Sequence, residues 1–362
     1  SSDADWSRFR LYAARIQVLL VGSGSRAGCP LYNKGLAGLP GNEVVSILKK
    51  YLAPSSNGLL PNLRKLDWDA KDPKKTPYLA LLFNSSLLSC HATGCNEIEA
   101  LLGSLLDISP KLRLLELKST VSTTPIPIFQ YLRTLHVMEN NIPYVGSMLF
   151  LEDLHWAPRG DQLAAQLGKD LDIGFPALRK VWFHVDVTNL AHVVTFLYLI
   201  QTTSLCSLTL IATSETQSDE TSLVRRLLEA LPRHSGLQEF AFSLRMRAPL
   251  VLPNSCHLNP LARLSELQSL FFSGIDFHVT DDCIYRLSSA WPKLKKFHIA
   301  HLNTSPRPLT TLIALQSFAI HNPQLTYLRI WLDAHPVTPA DSKAQRLDHI
   351  RIHFDYSPLS KG

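Results

Sequence analysis

The chain has 362 residues, 46% of them hydrophobic and 18% charged, with a formal net charge of +6. That balance belongs to a globular protein with ample core and excludes disorder along most of the length. The 36 Lys and Arg residues form no block of five, so the charge suits an acidic patch on a partner or a small polyanion and falls short of a nucleic-acid signature.

The opening SSDADWSRFRLYAARI has no basic stretch followed by an apolar run, and nowhere is there an uninterrupted apolar stretch of about 18 residues. Neither a signal peptide nor a membrane helix is predicted, although an upstream segment or a removed leader stays open because the chain opens on Ser1. The six cysteines, at 29, 90, 95, 206, 256 and 283, include no CxxC pair. They read as free thiols of a reducing compartment, cytoplasmic or nuclear, with secretion left open.

In chain order, IQVLLV from Ile16 is the first and loosest copy of a recurring phrase: Leu, two variable residues, an apolar residue, one variable residue, a third apolar residue. After a Gly, Ser and Pro-rich stretch it returns as LRKLDW from Leu63, LLSCHA from Leu87, LRLLEL from Leu112, LRTLHV from Leu132 and LEDLHW from Leu151. Further copies start at Leu178, Leu205, Leu237, Leu267, Leu294, Leu325 and Leu347, at spacings of 19 to 32 residues. The end of each phrase alternates apolar and polar residues, the period of two of a strand with one buried face. Between the phrases, residues 41–52, 96–106, 161–171, 188–200 and 219–231 carry apolar residues three and four apart behind a Gly, Asn, Asp or Thr and predict helices. Shorter helices are expected near Asn259, from Thr280 and from Leu309. Strand, turn, return helix and next parallel strand describe an α/β leucine-rich-repeat solenoid, a horseshoe with a parallel concave sheet and convex helices. Residues 1–62 form its capping repeat with a Gly/Pro-rich loop, and residues 63–362 continue it as one domain. The phrase at Leu132 alone completes the pattern LxxLxLxxNxL, with Asn140 at the bend.

The residues Trp6, Phe9, Tyr12, Ala13, Arg15 and Ile16, followed by Pro61, Asn62, Leu63, Arg64, Leu66 and Trp68, resemble the leucine-rich-repeat half of the F-box-protein family of mushroom-forming fungi. The specific part of the likeness is the first ninety residues. The resemblance implies a substrate-recruiting solenoid of a cullin-type ubiquitin ligase, reached through a Skp-type adaptor that docks on an F-box upstream of Ser1. Such a module does no chemistry; it raises the effective concentration of a target near the ligase.

Within each phrase the residue between the last two apolar positions points to the concave side, so strands about 4.8 Å apart stack these residues in a column. It runs Asp67, His91, Glu116, His136, His155, Trp182, Thr209, Ala241, Phe271, His298, Arg329, Arg351. His91, Glu116, His136, His155 and Trp182, flanked by Met138, Asp153 and His184, are its sharpest constellation. Two imidazoles and a carboxylate suit a divalent metal, a pH-sensitive or aromatic ligand surface, or plain solvated surface; no metal or cofactor is assigned. At the C-terminal end Lys296, His298, Arg329, Trp331, His349, Arg351 and His353 gather as a basic and aromatic cluster suited to a polyanion or acidic peptide, or to nothing beyond solvent.

Enzyme motifs fail on spacing. The glycines of VGSGSRAG, at 22, 24 and 28, place the third one residue too late for GxGxxG, and Pro30 interrupts the helix such a loop must start. The reading is a non-catalytic protein-binding module. A stand-alone repeat protein binding a small molecule or glycan is the alternative, and an enzyme using the His-rich column a weaker one.

Overall fold

In the computed structural model, which describes residues 3–21, 59–69, 79–93, 98–118, 128–137, 148–157, 175–200, 204–214, 220–246, 250–252, 255–299, 309–333 and 351–353, each recurring phrase that falls within them becomes a strand. The chain divides into two compact units, Ser1–Ala157 and Pro158–Gly362. Both are α/β, and every strand pairing among the described residues is parallel.

The first unit opens with helix α1 (Asp3–Ala13) and strand β1 (Val18–Val21). The strands β2 (Lys65–Asp69), β3 (Ser89–Thr93), β4 (Leu114–Lys118), β5 (Thr134–Val137) and β6 (Asp153–Trp156) follow in spatial order, with helix α2 (Ile98–Ile108) between β3 and β4. The predicted helix at 96–106 is therefore present; those at 41–52 and 161–171 lie outside the described residues, as does Asn140.

The second unit holds β7 (Lys180–Asp186), β8 (Ser207–Thr213), β9 (Glu239–Arg245), β11 (Ser269–Ser273), β13 (Lys296–Ile299), β14 (Tyr327–Arg329) and β15 (Arg351–His353) as its main sheet, in that order. Strands β10 (Leu250–Leu252) and β12 (Ile275–Phe277) make a second, two-stranded ladder. Its helices are α3 (Leu190–Leu199), α4 (Glu220–Ala230), α5 (Asp281–Ala290) and α6 (Ile313–His321). Helix α5 follows Thr280, where the sequence predicts a helix to begin, and Thr280 caps it: the Cys283 amide donates to Thr280 Oγ1 at 3.3 Å, and Asp281 and Asp282 lie in its first turn. The expected helix near Asn259 is instead a 3₁₀ segment, Ser255–Arg263. Pro260 inside it supplies no amide for an α-helical bond, and the tighter winding accommodates it. Gly274, between β11 and β12, has φ 83°, and a Cβ there would lie 1.7 Å from the Leu244 carbonyl oxygen; only glycine fits.

The apolar members of the phrase are the core. Leu66, Leu115, Leu135, Leu154, Leu208 and Leu210 are fully buried, each stabilising the sheet by roughly 2 kcal/mol. The strand starts share one hydrogen-bond device: two successive amides donate to one carbonyl of the preceding strand, as Arg113 and Leu114 do to Leu88 at 2.9 and 3.1 Å. Where the residues ahead of such a start are described, they form a tight turn in which the first apolar residue of the phrase donates to the residue three before it, as Leu87 does to Asn84 at 3.2 Å and Leu325 to Asn322 at 3.0 Å. Where that residue is polar it stitches neighbouring repeats. Asn84 Nδ2 donates to the Leu60 and Leu63 carbonyls (2.9 and 3.2 Å), Ser109 Oγ to the Asn84 carbonyl (2.8 Å), and Asn322 Nδ2 to the Ser288 and Trp291 carbonyls (3.1 and 2.6 Å).

Candidate functional site

Because side chains alternate along a strand, the residues between the buried Leu positions fall on the sheet's other face. In the first unit the register runs Asp67↔His91, His91↔Glu116, Glu116↔His136 and His136↔His155. The predicted constellation is thus contiguous from Asp67 to His155, one residue per strand. All five side chains are partly buried, from 14% exposed at His91 to 38% at His155.

The row alternates carboxylate and imidazole as far as His136 and ends on a second imidazole, His155. His91 Nδ1 donates to Asp67 Oδ1 at 2.9 Å, which places the proton of a neutral ring on Nδ1 and leaves Nε2 facing Glu116 Oε1 at 3.6 Å. Glu116 turns its other oxygen to His136 Nδ1, also 3.6 Å away. The ring of His136 stacks on that of His155, centroids 3.8 Å apart at 25°, and His155 Nε2 reaches Asp153 Oδ1 at 3.4 Å. Burial, with His155 alongside, lowers the proton affinity of His136, and the Glu116 and Asp153 carboxylates oppose this without cancelling it. His136 therefore holds a proton less readily than a free imidazole does.

Among the described residues no three His, Cys, Asp or Glu side chains come together as they would to hold a metal ion. The reason is visible in the register: strands spread these donors along a line, whereas a metal needs them to converge. What the row can do chemically is accept protons and offer hydrogen bonds of both senses to a surface laid across it. Met138 lies outside the described residues.

In the second unit the corresponding row is Trp182↔Thr209, Thr209↔Ala241, Ala241↔Phe271, Phe271↔His298 and His298↔Arg329. Trp182 meets His184 edge-on, centroids 5.8 Å apart. His298 is buried, 8% exposed, with Phe271 4.2 Å and Tyr327 6.1 Å from its ring; it supports the aromatic row more than it faces outward. Lys296 is exposed and pairs in register with Tyr327, and Arg329 and Trp331 are half-buried. The column needs one correction at its end. Arg329 pairs with His353, and Arg351 pairs with Tyr327, two residues out of the predicted register. The phrase at Leu347 follows its predecessor by only 22 residues, and a slide of two is the smallest that keeps a strand's alternation in step. His349 lies outside the described residues.

The resembling residues at the N-terminus also have a structural task. Asn62 Nδ2 donates to the Ala14 carbonyl at 2.7 Å, and the Arg64 and Lys65 amides donate to Gln17 at 2.8 and 3.0 Å, fastening β1 to the first regular repeat. No helix among the described residues is long and apolar enough to cross a membrane. No protein-family model matches the chain, and no curated protein matches it.

Proposed function

We propose that the chain is a leucine-rich-repeat solenoid that binds a protein target, the substrate-recruiting part of an F-box ubiquitin-ligase receptor, and does no chemistry of its own. The observation that carries the binding role is the Asp67–His155 row: partly exposed polar side chains held at strand spacing on rigid elements, the arrangement in which a partner loses little of its binding energy to ordering the site. The ligase assignment rests on the resemblance of residues 6–16 and 61–68 to that family, including an Asn62 that ties cap to repeat. The target sits across the row of the first unit, and the Lys296, Arg329 and Trp331 end of the second unit offers a place for a polyanion.

The test is affinity purification of the protein from its own cells, with wild type compared against His136→Ala and His155→Ala. A Skp-type adaptor and a cullin should copurify with wild type and both variants, together with a target that both variants lose by about tenfold while melting within a few degrees of wild type. Absence of adaptor and cullin would remove the ligase reading; an unchanged target yield would remove the row.

A further inference from the structure

The turns that lead into the strands are built alike: a buried residue, two outward residues, then the first Leu of the phrase. Elsewhere among the described turns the outward pair is small, polar or proline, as in Pro110–Lys111 and Ser265–Glu266. Two neighbouring turns of the first unit depart from this. Ahead of β5 stands Tyr131, 53% exposed; ahead of β6 stand Leu149 and Phe150, 64% and 55% exposed. The strand starts behind them are hydrogen-bonded in sequence, Arg133 N to Arg113 O and Glu152 N to Arg133 O, both at 2.8 Å, so the three side chains share one edge of the sheet at strand spacing.

Exposed aromatic and aliphatic side chains grouped on rigid turns have no folding role to explain them and mark an interaction surface. The charge beside them says what kind. Lys111 and Arg113, one strand away on the same edge, are exposed and have no ion-pair partner among the described residues, whereas Arg133 is already paired with Glu152 at 3.2 Å. We propose that this turn edge docks a protein segment presenting apolar side chains flanked by carboxylates, with Tyr131, Leu149 and Phe150 receiving the apolar residues and Lys111 and Arg113 the acids. Electrostatic complementarity of this sort steers the partner and rejects basic segments. The inference goes beyond the function proposed above, since it concerns a different edge of the strands and stands or falls separately.

Selection of phage-displayed random dodecapeptides on the whole chain tests it. The enriched peptides should combine Phe, Leu or Trp with neighbouring Asp or Glu. The best of them, made synthetically, should lose about tenfold in affinity against Leu149→Ser plus Phe150→Ser, and a similar factor against Arg113→Glu, with melting temperature unchanged and with His136→Ala binding as wild type does. Failure to enrich, a consensus without acids, or affinity indifferent to the turn substitutions would overturn the proposal. So would a dimer in sedimentation velocity that Leu149→Ser plus Phe150→Ser abolishes, because the edge would then belong to a second copy.

Discussion

The two units use one phrase for different ends. In the first, the six strands are four or five residues long and their outward row is ionisable: Asp67, His91, Glu116, His136, His155. In the second, β7, β8 and β9 reach seven residues, the outward row is Trp182, Thr209, Ala241 and Phe271, and the core is thick with Phe183, Phe196, Phe240, Phe242, Phe272 and Trp291. Spacing accounts for much of this. The phrases of the second unit from Leu178 to Leu325 follow one another at 27 to 32 residues, enough for a return helix with its own apolar face, whereas Leu112, Leu132 and Leu151 are 20 and 19 residues apart. Among the described residues, the first unit's largest fully buried side chains are Trp68, Phe83, Phe129 and Trp156, fewer than the second unit's.

The hardest blow to that difference is a charge in the core of each unit. Leu115 and Leu208 occupy the same place in the phrase and are both fully buried. Asp at either position buries an unpaired carboxylate at a cost of several kcal/mol, about 4 or more. Because fewer large aromatic side chains are fully buried among the first unit's described residues, Leu115→Asp should abolish amide protection throughout β2 to β6 in hydrogen exchange, while Leu208→Asp leaves weakened but measurable protection in β7 to β11. Equal loss would mean that the aromatic core confers no extra reserve, and full protection in Leu115→Asp would mean that the buried register is misassigned.

A smaller effect separates the two stitches. Asn84 uses both ends of its amide: Nδ2 donates to Leu60 and Leu63, and Oδ1 accepts the Ser86 amide at 2.7 Å. Asn322 uses Nδ2 for two carbonyls, while its Oδ1 is buried without a hydrogen bond. Asn84→Ala should therefore cost about 2 kcal/mol and Asn322→Ala about 1 kcal/mol in urea unfolding, the reverse of what the core sizes alone suggest. If Asn322→Ala is the more damaging, the stitch matters through packing and not through its hydrogen bonds.

These stitches also show where sequence reading stops. Strands, register and outward row were legible because alternation at the phrase is strict: His91 falls beside Glu116, and His136 beside His155, from spacing alone. The start of α5 at Thr280 was legible too, from apolar residues at helical spacing. The stitch position was not, because its occupants, among them Leu60, Asn84, Phe129, His234, Trp291 and Asn322, share a backbone turn and no side-chain chemistry. Nor was the burial of His298, since a polar residue in an outward column looks exposed until Phe271 and Tyr327 are known to close on it. The slide of Arg351 beside Tyr327 preserves alternation and so leaves no trace in the pattern. Tyr131, Leu149 and Phe150 were visible as residues, but their meaning came from the turn that exposes them.

The gentlest probe of the comparison is pH, because the first unit's row is ionisable from Asp67 to His155, whereas the described row of the second unit carries His298 and Arg329 only at its end. The groups facing His136 are Glu116 from β4 and His155 with Asp153 from β6. Its proton affinity in the folded chain is lowered from the ordinary value of 6.5, chiefly by burial, so the unfolded chain binds that proton more readily. Stability contributed by keeping the ring neutral is full above 6.5, declines as pH falls through 6.5, and stops declining once the folded ring is itself protonated. The wild type should lose melting temperature between pH 7.5 and 5, and His136→Gln, which cannot take up the proton, should lose less over the same interval. Hydrogen exchange assigns the loss: it should appear in β4, β5 and β6, where a charged His136 would sit against the His155 ring 3.8 Å away, and not in β7 to β9. A pH response equal in both variants, or one centred on the second unit, would show that the stacked imidazoles are spectators and that the contrast between the units lies in their cores alone.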